Sequence, residues 1–218
     1  MTTHSLFRSA IMGCCLVALA GCRTPPDPEQ VEAQLAPGMR KPAPSKVMLI
    51  ETPKRMREDI IYPPSVEMGF FWSERTAEWR FKLPSGRYAH AGFRFLVPHN
   101  LAVNRDQFEL VFRIAPATMT RYLWIGLVDG ADHPNRVLVD LPIARYAPKA
   151  KGTGFVEVRI PLRDFPAQGN VVKNDTETID DLTEPPFDWI DVAEIRVIHN
   201  GGRLPNRETI ITDLRFER

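Results

Sequence analysis

The stretch Gln107-Phe108-Glu109-Leu110-Val111-Phe112-Arg113-Ile114-Ala115 puts large apolar side chains at every second position. Phe108, Leu110, Phe112 and Ile114 fall on one side, and Gln107, Glu109, Val111 and Arg113 on the other. Successive side chains of an extended chain point to opposite faces, so a period of two describes a half-buried β-strand and not a helix. The same alternation recurs outward from this segment. Val156, Val158 and Ile160 oppose Phe155, Glu157 and Arg159, and Ala193, Ile195 and Val197 oppose Glu194 and Arg196. Phe93, Phe95 and Val97 oppose Arg94, while Leu123, Ile125 and Leu127 oppose Tyr122 and Trp124.

Read through the whole chain, the pattern predicts strands at 47–51, 68–73, 77–82, 91–97, 107–115, 121–129, 136–141, 154–160, 192–199 and 209–217. Pro, Gly, Asn and Asp punctuate the intervals, as turns require. The polar stretch 166–186 reads as a long loop. No long segment carries a helical period, and no internal repeat is visible. Short strands separated by turn signals argue for an all-β fold, a β-sandwich or jelly roll spanning 47–218.

If the alternating strands share one sheet, its non-core face carries Arg94, Glu109, Arg113, Tyr122, Trp124, Phe155, Glu157, Arg159, Glu194 and Arg196. Aromatic rings embedded among charged side chains suit a sugar, whose apolar ring face stacks while its hydroxyls take directed hydrogen bonds. On that premise Tyr122 and Trp124 are the stacking residues, and Arg113 and Arg159 the donors. Trp72, Trp79, Tyr88 and Tyr146 are further aromatic candidates at loop rims. Two other readings stand beside this one. The charges are cross-strand pairs on a solvated face with the rings covered, or the strands belong to two sheets and the residues form no single surface.

The N-terminus carries a different kind of signal. A polar start with His4 and Arg8 leads into the apolar run from Ala10 to Ala20 and then Leu19-Ala20-Gly21-Cys22. This resembles the signal peptide and lipobox of bacterial lipoproteins. The run is too short to span a bilayer. The resemblance implies that residues 1–21 are removed and that Cys22 is acylated, anchoring the protein in membrane lipid. Arg23, where Asp would signal retention, implies the bacterial outer membrane. The other cysteines, Cys14 and Cys15, leave with the signal, so no internal disulfide or CxxC site remains. Residues 22–46 hold Pro25, Pro26, Pro28, Pro37, Pro42 and Pro44 and read as an extended linker.

The chain has 28 Lys+Arg and 27 Asp+Glu; without residues 1–21, whose only such charge is Arg8, 27 of each sign remain. A formally neutral chain gives no electrostatic case for nucleic acid as a partner.

The C-terminal third adds a second resemblance. Val156-Glu157-Val158-Arg159-Ile160-Pro161-Leu162-Arg163-Asp164-Phe165 is followed by Phe187-Asp188-Trp189-Ile190-Asp191 and by the closing Thr209-Ile210-Ile211-Thr212-Asp213-Leu214-Arg215-Phe216. Across 91–218 this resembles galactose-binding-like jelly rolls, particularly family 11-type carbohydrate-binding modules. The resemblance implies a glycan-binding sandwich in which Phe165 and Trp189 pack the corner. It also raises a structural calcium at Asp213; Asp129-Gly130-Ala131-Asp132-His133-Pro134-Asn135, with several oxygen donors, lacks EF-hand spacing and reads as a turn.

No G-x-S-x-G elbow, H-E-x-x-H helix or phosphate-binding glycine loop occurs. His90, His99, His133 and His199 have no partner at metal-ligand spacing. No catalytic residues and no cofactor are expected. The sequence thus points to a lipid-anchored, non-catalytic glycan-binding protein of the cell envelope. A subunit that binds another envelope protein is the alternative; a jelly-roll hydrolase or lyase, which would require two facing carboxylates, ranks below both.

Overall fold

In the computed structural model, residues 37–50, 60–61, 66–72, 76–130, 136–174, 177–179 and 185–218 are described. The signal segment 1–21, Cys22 and the linker as far as residue 36 lie outside them, as do 131–135 of the candidate turn.

The alternating segments form strands of two antiparallel sheets. In chain order these are β1 (Lys46–Met48), β2 (Ile60–Ile61), β3 (Glu67–Trp72), β4 (Ala77–Lys82), β5 (Tyr88–His99), β6 (Glu109–Ala115), β7 (Trp124–Asp129), β8 (Arg136–Pro142), β9 (Val156–Pro161), β10 (Asn170–Asn174), β11 (Glu177–Ile179), β12 (Val192–Asn200) and β13 (Thr209–Glu217). The first sheet runs β3-β4-β13-β6-β9, with β1 beside β13; the second runs β11-β10-β8-β7-β12-β5-β2. The fold is a β-sandwich.

The inward rows are the ones the alternation selects. Phe108, Leu110, Phe112 and Ile114 meet Phe93, Ile125, Leu127, Ile195 and Val197 from the opposite sheet in one continuous core. Trp79 is wholly buried there, its ring 5.2 Å from Phe93 in an edge-on contact. Phe70 and Trp72 extend the cluster. Trp72 and Trp79 are therefore packing residues and not rim aromatics.

β13 changes partners midway. Thr209–Thr212 pairs with β4, and Arg215–Glu217 pairs with β1 on the same edge. Asp213 sits at the irregularity with φ 54°. Asp tolerates this left-handed conformation better than most residues, and the bulge re-aims the strand. That geometry accounts for Asp213 without a metal.

Two expectations are corrected. The stretch 166–186 is not a continuous loop: it contains β10 and β11, with β10 paired to β8 through Asn170–Val172. Val172 is buried beneath its polar neighbours, and its two-residue apolar run is too short to show a period. The end of the expected linker is also docked. Asn100 Nδ2 donates to the Arg40 carbonyl at 2.9 Å, Ala43 N donates to the Asn100 carbonyl at 2.8 Å, and buried Arg40 is ion-paired with Asp191.

Truncating Phe112 to Ala in the sealed core should cost about 3–5 kcal/mol in urea unfolding, the range for buried aromatics. Arg113→Ala, one residue away on the outer face, should cost less than about 1 kcal/mol. Equal costs would mean that the two faces are assigned wrongly.

Candidate functional site

The four expected ligand-binding residues divide between the two sheets. Arg113 on β6 and Arg159 on β9 belong to the first sheet, whereas Trp124 opens β7 in the second and Tyr122 precedes it. The single-surface premise fails because β6 and β9 pair with each other and β13, while β7 pairs with β8 and β12.

On the first sheet the charges satisfy one another. Arg159 donates to Glu157 at 2.8 Å, to Glu217 at 2.8 Å and to Glu109 at 3.2 Å. The hydrogen bond to Glu157 is the main reason that its pKa is raised. Glu217 is held below its usual range, chiefly by Arg215. Arg113 lies 5.2 Å above the Phe155 ring and 3.8 Å from Asp213. This is a ladder of cross-strand pairs, so Arg113 and Arg159 are engaged within the fold.

The outer face of the second sheet is built differently. Strand register places His90, Ile198, Trp124 and Pro142 in one row. The next row is Gly92, Arg196, Gly126 and Asp140, and the third is Arg94, Glu194, Val128, Leu138 and Asn170. Val128, Leu138, Val172 and Ile198 form a second apolar cluster, with half-buried Trp124 packed against it. Beyond the first row, Tyr88 and Tyr122 are each 39% exposed. Tyr122 ends a 3₁₀ turn, Ala117–Arg121, and its carbonyl lies 3.3 Å from His199 Nδ1. Of the expected residues, Trp124 lies on this face and Tyr122 lies at the same end of the sheet. Tyr88 joins them, while Tyr146 is elsewhere, donating to Asp164 at 2.9 Å.

Charge enters this face under shelter. Glu194 is fully buried between Arg136, whose Nη1 donates to it at 2.9 Å, and Arg196, with Arg94 at 3.7 Å. The alternation marks Glu194 and Arg196 as outward, which is right, but outward here is not solvated. Burial pushes the Asp140 carboxyl up to about 6. It is the acid of this face with no partner among the described residues. Sequence reasoning missed Asp140, although a lone acid inside Arg136-Val137-Leu138-Val139-Asp140-Leu141 is a visible anomaly.

Around the edge of β5 lies an open groove of about 650 Å³ lined by Lys41, Lys46, Arg94, Phe95 and Leu96 among others. At the other candidate features, structure explains the residues. Asp129 accepts from Val137 N at 2.6 Å and Asp188 N at 2.7 Å, closing its turn. Phe165 and Trp189 pack edge to face at 6.3 Å, with Arg105 stacked 4.3 Å from the Trp189 ring. They are the corner residues that the sequence resemblance implies. Among the described residues no group of three His, Cys, Asp or Glu side chains is placed to hold a metal ion.

No family model matches this chain. No curated protein matches it. Solved structures do. A family 30 carbohydrate-binding module of a cellulosomal cellulase from Clostridium thermocellum superposes with a TM-score of 0.54 at 14% identity, covering 78% of this chain and 96% of the module. A second structure of a family 30 carbohydrate-binding module gives 0.53 at 14% identity, covering 79% and 87%. A family 11 module from Clostridium thermocellum, in complex with a β-1,3-1,4-mixed-linked tetrasaccharide, gives 0.48 at 8% identity over 80% and 96%. The family 30 likenesses show a shared β-sandwich fold.

The Asp140 carboxyl has a measurable signature. Its folded pKa, about 6, lies above the ordinary 3.8. Between these values the folded state binds more protons than the unfolded state, so stability falls as pH rises through that window. Asp140→Asn should therefore be more stable than wild type at pH 7, by up to roughly 3 kcal/mol. The gain should vanish by pH 4 in denaturant titrations; a pH-independent difference would mean that the carboxyl is not buried.

Proposed function

We propose that this protein is a non-catalytic glycan-binding protein held to the bacterial outer membrane by acylated Cys22. The carrying observation is the end of the second sheet where Trp124 lies one row from Asp140 and Arg196, with half-exposed Tyr88 and Tyr122 beyond it. Ring faces supply stacking area, and a carboxyl beside them accepts hydroxyl hydrogens in fixed directions. The fold likeness to carbohydrate-binding modules supports the ligand class. Glu194 is engaged by arginines, so among the described residues this face offers no pair of free carboxylates for glycoside hydrolysis.

A second reading, an assembly subunit that binds another envelope protein, is favoured by the groove at the β5 edge, where Leu96 is exposed. Exposed apolar surface beside a strand edge suits a protein partner.

On a glycan array, Trp124→Ala and Tyr122→Ala should each weaken binding by about tenfold or more, the loss of a stacking ring. Their melting curves should stay cooperative. Unchanged binding in both variants removes this site; no glycan binding together with one stoichiometric cross-linked envelope partner decides for the second reading.

Anchoring is tested separately. Cys22→Ser should abolish incorporation of labelled palmitate and release the protein from the membrane fraction. Retention of both in the variant would refute acylation at Cys22.

A further inference from the structure

Arg196 is not explained by stacking. Its side chain is 0% exposed, and its Nε donates to Glu194. Nη1 and Nη2 are buried and meet no hydrogen-bond partner among the described residues. Buried donors are paired almost everywhere in folded proteins, so such nitrogens point to something they bind. Glu194 does not absorb the charge fully, because it is shared with Arg136 and Arg94.

The backbone is shaped around this arginine. A Cβ at position 92 would lie 2.7 Å from the Ile195 carbonyl oxygen and 3.0 Å from Arg196 Cγ. Only glycine lets the Arg196 stem lie flat across β5 at this point. β5 also carries Arg94, whose side chain is 27% exposed and lines the open groove. The other charged groups lining that groove, Lys41 and Lys46, are also cationic. The arginine cluster therefore borders an approach that favours anions.

The free edge of the guanidinium defines the anion. With Nε taken, Nη1 and Nη2 present paired N–H donors whose spacing matches the two oxygens of a carboxylate. Trp124 and Arg196 are diagonal neighbours on adjacent strands, with backbones roughly 7–8 Å apart. One glycan chain can reach both.

Taking the glycan-binding reading above for the carrier, we infer that Arg196 seats the carboxylate of a uronic acid unit. The ligand is then an acidic glycan. The carboxylate arrives past Arg94 and displaces the side chains that shield Arg196, so association is slower than for an open site.

The test is calorimetry at 0.15 M NaCl with oligomers of galacturonate, glucuronate and alginate, each beside its carboxyl-reduced neutral form. Wild type should bind at least one oligouronate ~10-fold or more tightly than the reduced form, the scale of a charge-assisted pair. Arg196→Gln and Arg196→Lys should erase that preference, so that each variant binds the acidic and reduced forms alike. Lys keeps the charge but loses the fork, so it decides the matter if the Gln variant fails to fold. Equal affinity of wild type for acidic and reduced forms overturns the carboxylate seat and leaves the glycan reading standing. Wild-type preference retained in Arg196→Lys overturns it also. If no glycan binds, thermal melts in acetate against chloride separate the two ideas. A rise in wild type that Arg196→Lys lacks keeps the seat and removes the glycan reading; an equal response overturns the seat.

Discussion

The structure depends on a constraint that falls on the second sheet, whose two faces must both be shielded. Its inner face meets the first sheet through Phe93, Ile125, Leu127, Ile195 and Val197. Its outer face holds a second apolar cluster and also the buried Glu194 and Arg196. Charges taken out of water destabilise a fold unless they are paired. The guanidinium contacts around Glu194 answer that requirement on three strands at once, β8, β12 and β5. The first sheet faces no such demand outside, and its exposed ladder of Arg and Glu contributes little per pair.

This asymmetry explains what was legible in the sequence. A period of two reports which side chains share a face, and it sorted Phe108, Leu110, Phe112 and Ile114 from Glu109 and Arg113 correctly. It reports nothing about which strands are neighbours, since pairing is a long-range property of the folded chain. Arg113 and Trp124 therefore looked like members of one surface and lie on different sheets. Nor does a period tell whether the face opposite the core is wet. Glu194 and Arg196 read as members of the non-core face, and that face seals them.

The shorter elements escaped for another reason. β10 offers only Val171-Val172 between polar residues, and β2 is two residues long. Neither is enough for alternation to register, and each is held by its neighbour, β8 or β5. The docked segment before β1 was hidden by proline, which signals extension whether or not the extended chain is packed. Pro42 forms a bridge with Asn100 in that extended state.

The docking of that segment gives the sandwich a polarity. Arg40 and Ala43 are fixed beside Asn100 and Asp191, at the end of β5 where His99 lies. Tyr88, at the other end of β5, pairs with Asn200 near the aromatic rings. Eleven steps of extended chain separate the two poles by roughly 35 Å. A chain leading from a membrane-bound N-terminus would thus enter at one pole, and Tyr88, Tyr122 and Trp124 would crown the opposite one. On such an anchor the docked arm would act as a compass needle, turning the rings away from the lipid surface instead of leaving the domain to tumble on its leash.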